Sequence, residues 1–238
     1  MSIVYSHADY NAVLNARGEI EGLPLERLRL SMLACPTGRL VTSDPLACPD
    51  MPAFTTSVEP GRYPVDIFIV KTKASGYRIA LACLTFSEEP AVSWPLALRD
   101  GQKYDELEEG SYFGFPVDAG LACFLDEQTL ACYNEFLDDF ADREPLGNVW
   151  DDYFADLFLA NARDLNDRND IGDWLDFHLP KSKEHNMAMF ASGMGDGIYP
   201  TYWGESASGS PTHLVIDFHV VLLPEEETSS STTEPTKD

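Results

Sequence analysis

Positive charge is scarce in this chain: 16 Lys and Arg residues face 40 Asp and Glu, a formal net charge of −24. A field of that sign repels phosphate backbones and anionic bilayers, so direct binding to nucleic acid or to a membrane surface is not expected. Long apolar runs are missing too, and none approaches the roughly 18–20 residues that cross a bilayer. The opening Met1-Ser2-Ile3-Val4-Tyr5-Ser6-His7-Ala8-Asp9 has no cationic start followed by an apolar stretch, so it does not read as a secretory signal. The expectation is a soluble, cytoplasmic protein. Cysteine points the same way: Cys35, Cys48, Cys83, Cys123 and Cys132 are odd in number and widely spaced. With no CxxC pair, they suggest neither a disulfide framework nor a zinc site.

Catalytic signatures are equally sparse. There is no Gly-x-Ser-x-Gly elbow, no Gly-rich phosphate loop leading into a helix, and no HExxH pair. His178, His185 and His213 read as lying in loops or at strand ends, and His219 as one position of a strand. The polar stretch Asp164, Asn166, Asp167, Asn169, Asp170, Gly172, Asp173 resembles a calcium loop in composition only. Its glycine is misplaced and no Glu closes it, so it reads as a connection.

What the chain does have is enough apolar material for a core. A hydrophobic fraction of 44% over 238 residues suits a single globular domain, expected over residues 1–223. A short helix is expected near residues 7–15. Leu28 to Leu33 and Arg39 to Thr42, around Pro36-Thr37-Gly38, read as a β-hairpin. Gly61 to Val70, Tyr77 to Phe86 and Val92 to Leu98 read as an antiparallel meander, with Pro95 marking an edge. Leu130, Tyr133, Phe136, Leu137 and Phe140 share one helical face, and Trp150, Tyr153, Phe154, Leu157 and Phe158 repeat the pattern. Helices are therefore expected near 127–141 and 150–162, with Asp126 as an N-cap. Met187 to Ala191 and Leu214 to Leu222 read as closing strands. Residues 224–238, rich in Glu, Ser, Thr and Pro, read as a disordered tail.

The outward faces of the two helices carry Asp138, Asp139, Asp142, Asp151, Asp152 and Asp156. This is either a solvated surface or a docking face for a basic partner. Two other segments set an aspartate beside glycine. One is Gly114-Phe115-Pro116-Val117-Asp118-Ala119-Gly120. The other is Ser192-Gly193-Met194-Gly195-Asp196-Gly197-Ile198-Tyr199-Pro200-Thr201-Tyr202-Trp203-Gly204. Glycine permits tight turns and close backbone approach, and Tyr199, Tyr202 and Trp203 could wall a ligand pocket or fill core. Asp118, Asp126, Asp196 and Asp217 stand in apolar or Gly-rich surroundings. Three of them, Asp118, Asp196 and Asp217, are candidate ligands for a divalent cation, although no cofactor is required by the pattern.

These two segments, with Gly38-Arg39-Leu40-Val41-Thr42-Ser43-Asp44-Pro45-Leu46 and Gly61-Arg62-Tyr63-Pro64-Val65, resemble the bacterial family DUF4241, a domain of unknown function. The likeness spans roughly residues 25–222. Met194 departs from the tryptophan expected at that position of the family pattern, which keeps bulk and loses an indole N–H. The resemblance implies one domain in which both Asp-Gly segments belong together, and it implies no reaction.

The expected fold is α+β: a twisted, mainly antiparallel sheet, or a two-layer sandwich, with two or three helices on one side. The expected function is an acidic binding protein, an inhibitor or immunity protein that neutralises a basic toxin domain. Two alternatives stand beside it. One is an enzyme using Asp118 and Asp196, with or without a divalent cation. The other is a ligand-sensing module built on Gly195, Gly197, Tyr199, Tyr202 and Trp203.

Overall fold

Alternation of β-branched and aromatic residues produces a fold made mostly of antiparallel strands. The computed structural model describes residues 8–168 and 170–221. His7, Leu222 and the tail at 224–238 therefore lie outside the described residues. One sheet has seven strands in the order β1 (Glu19–Ile20), β2 (Leu23–Cys35), β4 (Gly61–Thr72), β5 (Gly76–Thr85), β11 (Pro211–Asp217), β10 (Gly197–Glu205) and β6 (Gly114–Val117). The other has four, in the order β3 (Leu40–Ser43), β7 (Leu121–Asp126), β9 (Ser182–Ala191) and β8 (Trp174–Leu179).

The two sheets pack face to face as a sandwich. Leu33, Ile67, Leu84, Trp203, Leu214 and Ile216 of the large sheet meet Leu40, Phe124, Ala188 and Phe190 of the small one in a single core. Each sheet is also covered on its outer face. The large sheet lies beneath α1 (Tyr10–Asn15), whose Tyr10 and Val13 pack with Leu25, Phe68, Leu81 and Val215. The small sheet lies beneath α2 (Glu127–Arg143), a π turn at Trp150–Phe154 and α3 (Ala155–Leu159). Burial on both faces explains why β7 is buried at all six positions instead of alternating.

Several expectations change in the folded chain. The two helices expected on one side, α2 and α3, do both cover the small sheet, while α1 covers the large one. Residues around 28–33 and 39–42 do not form a hairpin. Both sides of β2 are already taken by β1 and β4, and β3 pairs with β7 in the other sheet, Leu40 opposite Asp126 through Ser43 opposite Cys123. The turn at 36–38 is thus a crossing between layers. Asp126 holds it in place, accepting hydrogen bonds from the Thr37 N–H at 3.0 Å and the Thr37 hydroxyl at 2.9 Å. Its other oxygen caps α2 by accepting the Gln128 N–H at 2.9 Å, which agrees with the N-cap reading.

β4 and β5 pair antiparallel as expected, but residues 92–98 make only isolated bridges, Ser93 to Glu205 and Leu96 to Tyr202. The second helical segment opens with the wider π turn, in which the Ala155 N–H reaches the Trp150 carbonyl, and it ends at Leu159. β8 was not expected. Its alternation is plain in retrospect: Leu175, Phe177 and Leu179 are buried while Asp176 and His178 are not. His185 lies inside β9, buried against Thr129 at 3.2 Å. β11 stops at Asp217, and His219 has φ 56°, outside any strand.

Candidate functional site

The two Asp-Gly segments meet. β6 and β10 pair antiparallel from Pro200 opposite Gly114 to Gly197 opposite Val117. Asp118 and Asp196 therefore leave the same end of one two-stranded ladder. The loop at Asp118 is held by Asp44, whose only mark in the sequence is its place in the Gly38–Leu46 segment. Asp44 is fully buried, and its carboxylate accepts four backbone N–H groups. Oδ2 takes those of Asp118 at 2.9 Å and Ala119 at 2.7 Å. Oδ1 takes those of Leu46 at 2.9 Å and Ala47 at 3.0 Å. A carboxylate is the side chain that can absorb four donors at once, which is why an aspartate stands here.

The second loop is tied to the first by the Ser192 N–H, which donates to the Gly120 carbonyl at 3.0 Å. The Gly195 carbonyl then accepts from the Ser192 hydroxyl and the Tyr199 phenol, both at 2.8 Å. Gly193 has φ +62° and a Cβ there would lie 2.6 Å from Phe218 Cβ, so only glycine fits. These bonds account for the glycines, Ser192 and Tyr199 as parts of a two-loop junction. Asp118 and Asp196 themselves are exposed. Among the described residues no three His, Cys, Asp or Glu side chains come together so as to hold a metal ion, so Asp118, Asp196 and Asp217 are not gathered into one such cluster.

Asp217 belongs to a different place. It is buried beneath α1, accepting from the Tyr10 phenol at 2.9 Å and the His219 N–H at 2.8 Å. Burial pushes its carboxyl up from 3.8 to about 6, although both hydrogen bonds oppose the rise. Tyr10 packs against Trp94 and Tyr202, each with ring centroids 5.2 Å apart.

The aromatic trio does not wall a ligand pocket. Strand alternation sends Tyr199 and Trp203 into the core between the sheets, against Phe218 and Phe86, and sends Tyr202 into the layer beneath α1. All three are buried.

Arg99 is another residue that sequence alone did not single out. Only 4% exposed, it lacks a carboxylate partner among the described residues. Its Nε donates to the Pro52 carbonyl and its Nη2 to the carbonyl and hydroxyl of Thr42, with the guanidinium 4.5 Å above Phe54. Burial lowers its pKa to about 10. It pins loops from outside both sheets onto β3.

The acidic helices frame a concave surface. A cavity of about 610 Å³ lies between α2, the π turn and the β8–β9 turn. Positions 132, 135, 136, 139, 142 and 143 of α2 line it, a spacing that keeps them on one helical stripe. Phe136 and Leu179 are buried at its floor, and Tyr153 packs on Phe136 with ring centroids 4.9 Å apart. Glu135, Asp139 and Asp142 rim it. Of the six aspartates read as a docking face, Asp139 and Asp142 line this cavity and Asp152 lines the depression next to it. Asp152 also accepts the Asn148 N–H at 2.7 Å. Asp138 and Asp151 are exposed on the same two elements. Asp142 is visible in the sequence as part of the acidic helix face, whereas Glu135 and Lys181 are not singled out, because nothing in the pattern shows that the 179–182 turn folds against α2.

Among the described residues, no helix is long and apolar enough to cross a membrane. A family model described as a protein of unknown function (DUF4241) matches residues 33–216. No curated protein and no solved structure matches the chain.

Proposed function

The chain belongs to the DUF4241 family, whose description carries no activity, and from that premise we propose that it is an acidic binding protein: an inhibitor or immunity protein that neutralises a basic toxin domain. One observation carries the reading. Helix α2 presents an apolar-floored cavity rimmed by Glu135, Asp139 and Asp142, with Asp138, Asp151 and Asp152 beside it, in a chain of net charge −24. An apolar centre with charges at its edge is the anatomy of a protein docking surface, and a strong field of one sign speeds encounter with a partner of the other. The alternative sites support this ranking. Asp118 and Asp196 are exposed, and Tyr199, Tyr202 and Trp203 are core.

The test is co-expression with a basic protein encoded beside this gene, followed by affinity measurement across salt concentration. Joint replacement of Asp138, Asp139, Asp151 and Asp152 by Asn should weaken binding by about 10–100-fold, since edge charges contribute up to about 1 kcal/mol each, and should flatten the salt dependence. Binding that survives this replacement, or that ignores salt, would overturn the proposal.

A further inference from the structure

We infer that the cavity beside α2 receives a lysine or arginine side chain of the partner, set next to an apolar residue, and that Lys181 occupies the place of that cation on Asp139 until the partner displaces it. The inference rests on the binding reading above and names the chemistry that the surface selects.

Lys181, at the β8–β9 turn, forms an ion pair with the Asp139 carboxylate across the cavity mouth. Its side chain is 71% exposed and that of Asp139 40% exposed, and a pair so open to water contributes little to stability. The ammonium therefore marks where a cation sits without being locked there. Arg143 also lines the cavity, but its Nε donates to the Asp139 backbone carbonyl at 3.0 Å and, among the described residues, it forms no ion pair with a carboxylate. Among the described residues, Glu135 and Asp142 make no ion pair. The cavity is thus lined by three carboxylates on one stripe of α2 and two cations, of which Lys181 alone is paired with a carboxylate, that of Asp139.

Shape supplies the rest. A volume of about 610 Å³ falls within the range of roughly 300–1,000 Å³ typical of sites that enclose a ligand. Its floor of Phe136, Tyr153 and Leu179 is apolar. A long cationic side chain lays its methylenes on such a floor and leaves its head at the carboxylates. An arginine fork adds two parallel bonds to one carboxylate, which the single Lys181 ammonium cannot match. An apolar neighbour on the partner occupies the remaining floor.

The probe is a synthetic acetyl-Leu-Arg-Leu-amide peptide, compared with its citrulline counterpart, which keeps the shape and removes the charge. Both are titrated into the full-length, isotope-labelled protein and followed by NMR. The arginine peptide should shift amides at 132–143 and 179–182, and the citrulline peptide should bind about tenfold more weakly. Lys181→Ala should tighten the arginine peptide about threefold to tenfold, and Asp139→Asn should weaken it by a similar factor. Both changes are at the surface, so folding is retained and checked in the same spectra. Shifts elsewhere, equal binding of the two peptides, or no gain from Lys181→Ala would overturn the inference. The broader reading is separable. If a basic partner protein binds in a salt-dependent way that depends on Asp138, Asp151 and Asp152 but is indifferent to Lys181→Ala, the acidic face stands and the side-chain site falls. If no basic protein binds, both fall.

Discussion

Asp44, Asp126 and Asp217 are all fully buried aspartates, yet their environments differ, and the difference decides what each does. Asp44 and Asp126 are surrounded by donors and organise turns. Asp217 has two donors and an apolar surround, so its folded-state pKa rises from 3.8 to about 6. The folded protein then holds this proton more tightly than the unfolded chain. The resulting stabilisation is complete below about pH 4 and is lost as pH rises through 6, a change of about 3 kcal/mol at 1.36 kcal/mol per unit. Asp217→Asn removes the titration. The variant should therefore gain about 2–3 kcal/mol relative to the parent protein between pH 4 and pH 7.5, read by urea unfolding at both values. A stability difference that does not change with pH would show that Asp217 keeps its charge in the fold. The Asp126 cap is legible in the sequence because its donor, Gln128, is local; the hold of Asp126 on Thr37, that of Asp44 on Asp118 and Ala119, and the burial of Asp217 beneath Tyr10 depend on distant parts of the chain.

At the scale of elements, the crossing from β2 to β3 is a demanding connection. Gly38 has φ +69°, and a Cβ there would lie 1.9 Å from the Val58 carbonyl oxygen. Gly120, at φ +67°, has nothing within 4 Å of its Cβ position. Gly38→Ala combines a left-handed backbone cost of about 1–2 kcal/mol with a clash that must move the 58 strand-side loop, for a total of at least ~3 kcal/mol. Gly120→Ala carries only the first part. Chemical unfolding of the two variants side by side checks this: equal losses would mean that the crossing relaxes freely. The helices show which parts of an element can be read in advance. The stripe through Tyr133, Phe136 and Phe140 places α2 correctly because amphipathic spacing is local. The π turn before α3 has the same apolar spacing as an ordinary helix start, and Tyr153 settles against Phe136 only once α2 is beside it.

The whole molecule carries a strong excess of negative charge, with basic side chains such as Arg27, Arg39 and Lys181 among the acidic ones, around a four-layer core. Self-repulsion among 40 acidic groups against 16 basic ones opposes compaction and is screened by salt. Raising NaCl from about 20 to about 300 mM should therefore lift the thermal midpoint by several degrees, since about 1 kcal/mol moves a domain of this size by roughly 2–4 °C. A flat or falling midpoint would mean that local ion pairs, such as Arg27 and Arg29 on buried Asp66, outweigh the global field. On the proposed binding reading, the field that weakens the isolated protein would also speed its encounter with a basic partner.

By itself the sequence determined the strand-rich α+β class, both acidic helix faces, the Asp126 cap and the family signature. These follow from local periodicity, composition and short motifs. Only the tertiary structure decided that β2 and β3 belong to different sheets and that Asp118 and Asp196 leave one ladder. It also buried Tyr199, Tyr202 and Trp203, and brought Lys181 across a cavity to Asp139. Each of those outcomes is a pairing between residues far apart in the chain, set by which strand edges remain open and which faces still need cover. Spacing along one strand or helix carries no record of that.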